Sequence, residues 1–163
     1  MTTAPEGGTG YGSHQPALRA LARFTKIRSV IEFGSGTFST HLFLDPSAFP
    51  DLTSLVTLES DEEWADKVRV DDERHTMIVA PSTSFTKRTI GMKADFVFVD
   101  CAPHDTRKGL LEHSLALSEI VGFHDCHESG PVQFGCKYTK AFNGIIQTAF
   151  VSNTIDLSGI ELE

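Results

Sequence analysis

Val30-Ile31-Glu32-Phe33-Gly34-Ser35-Gly36-Thr37-Phe38-Ser39-Thr40 is the stretch that decides how this chain folds. A short, mostly apolar strand breaks on Gly-Ser-Gly and runs into a second apolar segment, Thr37 to Leu44, that predicts a helix. The glycines let the backbone turn sharply and approach a ligand, and the helix start behind them presents free N–H groups. Many strand-to-helix turns carry glycine for structural reasons alone. Glu59 sharpens the reading, because it closes the second apolar run, Leu55-Val56-Thr57-Leu58, 23 residues beyond Gly36. In mononucleotide-type folds an acid at that place accepts hydrogen bonds from ribose hydroxyls; its plainer role is a carboxylate capping the next helix.

The nucleoside can be narrowed by charge. A dinucleotide fingerprint, G-x-G-x-x-G, needs a third glycine for close helix–strand packing, and here Ser39 holds that place. Glu32, two residues before the first glycine, would oppose a pyrophosphate but suits a cationic amino group, directly or through water. No Gly-Lys-Ser/Thr phosphate loop is present. S-adenosylmethionine, with an amino group, a sulfonium and no phosphate, fits these charges better than NAD or ATP.

Outward from this unit, further apolar runs recur at Met77-Ile78-Val79, Phe96-Val97-Phe98-Val99 and Ile120-Val121-Gly122-Phe123. Near-continuous apolar strands imply a sheet covered on both faces, hence parallel. Helices are predicted over Gln15 to Thr25, with Pro16 in the first turn, over Asp61 to Val70, capped by Ser60 or Asp61, and over Lys108 to Ser118. Ala80 to Lys93 reads mostly as loop, Lys137 to Asn143 as a short helix, and Ala149-Phe150-Val151 with Gly159-Ile160-Glu161-Leu162 as two late strands. The expected fold is α/β: a doubly wound, mostly parallel, Rossmann-like sheet with helices on both faces and a C-terminal antiparallel hairpin. Residues 1–12 read as a flexible arm and 13–163 as one domain.

Composition removes several function classes. The net charge of −8 over 163 residues, with basic residues scattered in pairs such as Lys87-Arg88 and Arg107-Lys108, leaves no basic face for nucleic acid. Acidity also disfavours anionic membranes, and no apolar run approaches the roughly 20 residues of a membrane helix. The three cysteines, Cys101, Cys126 and Cys136, form no C-x-x-C pair and read as reduced thiols of a cytoplasmic protein. The expected partner is a small molecule, with a homodimer as a possible assembly.

The chain resembles the class I S-adenosylmethionine-dependent methyltransferases of the small-molecule type. Glu32-Phe33-Gly34-Ser35-Gly36-Thr37 is similar to their first motif and Leu58-Glu59-Ser60 to their second. Asp95-Phe96-Val97-Phe98-Val99-Asp100 resembles the fourth-strand motif, Val121-Gly122-Phe123-His124-Asp125 the fifth, and Gly12-Ser13-His14-Gln15-Pro16 the lead-in to the first helix in one group. The resemblance implies that Glu32, Gly34 and Gly36, with Ser35 and Thr37 of the same turn, hold the methionine part. It implies Glu59, beside Ser60, for the ribose. Ser82 would lie near the adenine, where the family's usual acidic or amide residue is missing. Trp64 either packs beside the adenine or fills space between helix and sheet.

Ligands in such sheets sit at the carboxyl ends of the strands, where two titratable clusters should meet: Asp100-Cys101-Ala102-Pro103-His104 and His124-Asp125-Cys126-His127-Glu128. Methyl transfer needs a nucleophile in line with the sulfonium and a group to manage its proton. His124 or Asp125 is the expected base, with Asp100 near the sulfonium or the acceptor. Certain metal-dependent O-methyltransferases of this fold hold magnesium through an acid after strand four and an acidic or amide pair after strand five. Asp100 and Asp125 match two of those places, but Cys126 takes the third, and sulfur is a poor magnesium ligand. Zinc on Cys101, His104, Cys126 and His127 lacks a close-spaced ligand pair, and a metal-free pocket lined by histidines is the plain alternative. His14 either approaches the acceptor on a folded-over arm or merely precedes a helix. The acceptor pocket is expected from the arm, Pro81 to Met92 and Glu128 to Gly135. The expectation is thus methylation of an oxygen or nitrogen on a small molecule. The alternatives are a non-catalytic binding or assembly module that keeps the fold, and an NAD-linked oxidoreductase, which Glu32 and Ser39 weaken.

Overall fold

The computed structural model describes residues 12–126, 135–143 and 146–162. Gly12 apart, the segment read as an arm lies outside these residues, as do His127 and the stretch from Glu128 to Phe134. Seven strands form one sheet: β1 (Ser29–Phe33), β2 (Ser54–Glu59), β3 (His75–Val79), β4 (Phe96–Val99), β5 (Val121–His124), β6 (Tyr138–Phe142) and β7 (Thr148–Ser152), in the order β3-β2-β1-β4-β5-β7-β6. The first five strands run parallel, and β7 runs antiparallel to both β5 and β6. Among the described residues no helix is long and apolar enough to cross a membrane.

The sheet is apolar on both faces, and strand alternation sorts its side chains. Val30, Phe96, Phe98 and Phe150 pack on one face with Leu18 and Leu21 of α1 (Gln15–Phe24) and Phe43 of α2 (Thr40–Leu44). Ile31, Phe33, Val97 and Val99 pack on the other face with Phe85 of α4 (Phe85–Arg88), Leu110 and Leu117. Between β2 and β3 runs α3 (Glu62–Val68), capped by the Asp61 carboxylate, which accepts the Trp64 N–H at 2.9 Å. Glu62 and Glu63 occupy its first turn, where the helix dipole favours acids.

Four local readings change. The helix expected from Thr37 starts at Thr40, because residues 37–39 form the turn itself. The expected helix of residues 108–118 is two, α5 (His104–Gly109) and α6 (Leu111–Leu117). Lys137 to Asn143 is not helical: its backbone is satisfied by pairing with β7, from Tyr138 opposite Ser152 to Phe142 opposite Thr148. Gly159 to Leu162 is not a strand; Ile160 closes a turn onto Leu157, and both bury their side chains against the α1 side of the core. The C-terminal antiparallel pair is therefore β6 with β7, and the last apolar residues plug the core.

Candidate functional site

At the centre of the sheet, β1 pairs with β2 on one side and β4 on the other. The Gly34 N–H reaches the Leu58 carbonyl at 2.8 Å, and the Asp100 N–H reaches the Phe33 carbonyl at 2.8 Å. Here the chain order reverses direction across the sheet, which opens a crevice at the strands' carboxyl ends. Gly34 has φ of +88°, and a Cβ there would lie 2.5 Å from the Cys101 Cα and 2.7 Å from the Asp100 carbonyl oxygen. Only glycine lets the first turn leave β1 so close to the backbone following β4.

The crevice is a cavity of about 460 Å³. Ser35, Gly36, Thr37, Phe38 and Ser39 form one wall, Trp64 stands at one side, and Asp100, Arg107, His124, Asp125, His14 and Ile146 close the other. Trp64 is 40% exposed, and its indole N–H donates to the Ser35 carbonyl at 2.9 Å. It therefore borders the cavity instead of filling space between helix and sheet.

Two expected ligand carboxylates are already engaged by the chain. Glu59 accepts the Ser35 N–H and hydroxyl on one oxygen, both at 2.8 Å, and the Ser60 and Asp61 N–H groups on the other, at 2.6 and 2.9 Å. Glu32 is fully buried behind the cavity wall. One of its oxygens accepts the Thr40 and Thr57 hydroxyls at 2.7 and 2.9 Å, while Thr40 Oγ1 accepts the Gly36 N–H at 3.1 Å. Glu32 thereby braces the glycine turn. Burial pushes its carboxyl up to about 7, with the hydroxyls of Ser39, Thr40 and Thr57 working against the rise. Ser60 is exposed, and Ser82 sits in a 3₁₀ turn (Ser82–Ser84) off the cavity wall.

The opposite wall joins the two clusters. Asp100 Oδ2 lies 3.1 Å from His124 Nδ1, and Ser13 Oγ lies 3.2 Å from His124 Nε2. His124 is 3% exposed. His14, 2% exposed, sets its ring 4.5 Å from that of His124, edge to face. Among the described residues neither nitrogen of His14 meets a hydrogen-bond partner of proper geometry. Burial first, then the neighbouring His124, pulls its pKa down to about 4, against an opposing pull from Asp100. The imidazole is therefore neutral near pH 7. The N-terminal segment thus does more than lead into α1: it delivers both Ser13 and His14 to the site.

Arg107, from α5, was visible in the sequence only as half of a basic pair. Its guanidinium sits 3.1 Å from Asp100 Oδ1 and 3.9 Å from Asp125 Oδ2, and donates to the carbonyls of Cys101 and His124 at 2.7 Å each. The signal was there: two acids at adjacent strand ends want a cation, and Arg107 is the first arginine after Asp100. Asp125 has φ of +54°, a left-handed conformation that is uncommon outside glycine and, where it occurs, tolerated by Asp. Burial raises the Cys101 and Cys126 thiols to about 11, so both stay protonated at neutral pH.

No protein-family model matches the chain, and no curated protein matches it in sequence. Solved structures do. An O-methyltransferase from Bacillus cereus in complex with SAH matches with a TM-score of 0.65 at 14% identity, covering 91% of this chain and 84% of that one. The O-methyltransferase TomG from Streptomyces achromogenes, involved in tomaymycin synthesis and solved with SAM, matches with a TM-score of 0.66 at 18% identity, over 86% and 79%. Spermidine synthase in complex with the transition-state analogue AdoDATO matches with a TM-score of 0.61 at 14% identity, over 91% of this chain and 59% of that one. The chain thus has the Rossmann-like fold of the class I S-adenosylmethionine-dependent methyltransferases.

Proposed function

We propose that this chain binds S-adenosylmethionine in the central cavity and transfers its methyl group to an oxygen or nitrogen of a small-molecule acceptor. The observation that carries the reading is the pairing, across one cavity, of the Ser35–Ser39 turn with the His124–Asp100 couple. The donor supplies an electrophilic methyl on a sulfonium. The turn, whose Ser35 and Gly36 N–H groups are held by Glu59 and Thr40, offers the Thr37 to Ser39 part of the wall to its methionine part, and Trp64 offers an aromatic edge. Asp100 and Asp125, only partly balanced by Arg107, favour a cationic ligand over a phosphate-bearing one.

On the acceptor side His124 is the base. Asp100 accepts from Nδ1–H, which fixes the tautomer whose Nε2 lone pair takes a proton, and steadies the imidazolium that results. Ser13 occupies Nε2 in the absence of an acceptor and would yield that place to the acceptor group. Asp100 and Asp125 do not fit a magnesium site, because the Arg107 guanidinium already stands against both carboxylates and Cys126 offers sulfur. The mechanism therefore has no magnesium step.

Calorimetric titration of the chain with S-adenosylmethionine and S-adenosylhomocysteine tests the donor half. Binding of both, weakened in Glu59→Ala because that change frees the Ser35 turn, supports the reading; no binding of either overturns it. A second reading, a module that keeps the fold without transfer, is favoured by the engagement of both Glu59 oxygens by the chain's own donors. Donor binding without product from a broad panel of phenol, catechol and amine acceptors would select it.

A further inference from the structure

We propose that His14, Asp100 and His124 form a site for one divalent transition-metal ion of the zinc or cobalt kind. One ligand atom from each residue lies within 4.8 Å of the others. The three come from separate elements: the turn before α1, the end of β4 and the end of β5. The fold therefore assembles the group; no local motif does. Two imidazoles and a carboxylate match the ligand preference of borderline divalent ions, and three protein ligands facing a cavity leave positions open for a bound molecule.

A second observation points to the same ligand independently. His14 is 2% exposed, borders the cavity, and among the described residues makes no hydrogen bond of proper geometry on either nitrogen, the Phe38 backbone being close but poorly aligned. Buried polar groups are nearly always partnered, and an ion at this cluster supplies the missing partner. His124 has the outer support that a ligating imidazole normally has, with Ser13 at its other nitrogen. Charge agrees as well. Arg107 takes Asp100 Oδ1 and leaves Oδ2 on the histidine side, and the formal charges of Asp100, Asp125 and Arg107 sum to −1 around two imidazoles. This ion differs from the magnesium expected on Asp100 and Asp125 in both ligands and chemistry. It shares the cavity with the donor reading but does not depend on it. With the ion bound, the His124 lone pair is taken, and an acceptor hydroxyl coordinated to the ion would be acidified there and release its proton to solvent instead of to the imidazole.

The test uses the full chain, stripped with chelator and desalted, without donor or acceptor. Titration with Co²⁺, followed by its visible ligand-field absorbance and by competition with a chromophoric chelator, is expected to give one equivalent that Zn²⁺ displaces. His14→Gln, His124→Gln and Asp100→Asn should each weaken it by more than the roughly 10–100-fold that losing an outer-shell partner costs. Cys126→Ser and Cys136→Ser should leave it unchanged. Should a variant fail to fold, long-range ¹H–¹⁵N spectra of the unaltered chain decide, since Zn²⁺ should then move two of the seven imidazoles. Absence of Co²⁺ binding, binding undiminished in both histidine variants, thiolate charge-transfer bands, or imidazole signals unmoved by Zn²⁺ would each overturn the site.

Discussion

The two walls of the cavity are built on opposite terms. On the glycine-turn side the polar groups are largely tied into the fold: Glu59 takes donors on both oxygens, and Thr40 links Glu32 to the Gly36 N–H. On the histidine side one buried group is left over: among the described residues His14 makes no hydrogen bond of proper geometry on either nitrogen, while Ser13 is shared between His124 and the Ile146 carbonyl and Asp125 is held in a left-handed conformation. Satisfied polar groups hold a shape, while unsatisfied ones keep their bonding capacity for something else. The first wall is thus braced by the fold, while the second keeps bonding capacity in reserve.

The largest effect should come from the scaffold. Gly34→Ala puts a methyl 2.5 Å from the Cys101 Cα at φ of +88°. Overpacking together with left-handed strain should cost roughly 2–6 kcal/mol, read as a lower urea midpoint. A midpoint within experimental error of the unaltered chain would mean that the two central strands can part without loss, and the comparison would break. On the other wall, His124→Ala should leave S-adenosylhomocysteine affinity nearly unchanged while kcat for methyl transfer, in metal-free buffer, drops about 10²–10⁴-fold. Equal losses in donor affinity and kcat would put His124 in the scaffold instead.

What could be read in advance follows the same division. The strand cores were legible because runs such as Phe96-Val97-Phe98-Val99 are apolar at every position, which only a sheet covered on both faces requires. The glycine turn was legible because Gly34 answers a local geometric demand. Tyr138 to Phe142 was not, since its half-exposed alternation with Lys140 gives no strong period, and only pairing with β7 makes it a strand. Arg107 was legible only through the two acids it joins, and His14 was left with two readings, for a related reason. Their roles depend on which strand ends become neighbours, and residue spacing does not carry that information.

Arg107→Met probes the join between the walls. It leaves Asp100 and Asp125, about three-quarters buried, without their guanidinium. The expected loss is about 2–3 kcal/mol, below the 3–5 of a fully buried pair because water reaches both carboxylates. Because the substitution removes the cation that opposes magnesium, millimolar Mg²⁺ should restore part of the loss in Arg107→Met and do nothing for the unaltered chain. Equal stabilisation of both proteins by Mg²⁺ would show that the guanidinium does not guard the two acids.

The last effect concerns Glu32 and takes the form of a slope. Burial raises its folded pKa from 4.5 to about 7, so the native chain holds a proton that the unfolded chain releases first. Stability from the protonated carboxyl is complete below pH 4.5 and is lost as pH rises through 7. One proton gives a slope of at most about 1.4 kcal/mol per pH unit. Glu32→Gln fixes the neutral form: its amide oxygen can still accept from Thr40 and Thr57, and its amide nitrogen falls on the Oε1 side, where among the described residues no hydrogen bond of proper geometry is made. That unpaired N–H is a constant cost at every pH. The urea midpoints of the two proteins should therefore diverge between pH 4.5 and 7, with the glutamine variant gaining on the parent, and then run parallel above. Parallel curves throughout would mean that Glu32 is ionised in the fold, that the braced wall carries a buried charge, and that a cationic amino group in the cavity would find the attraction its neutral form lacks.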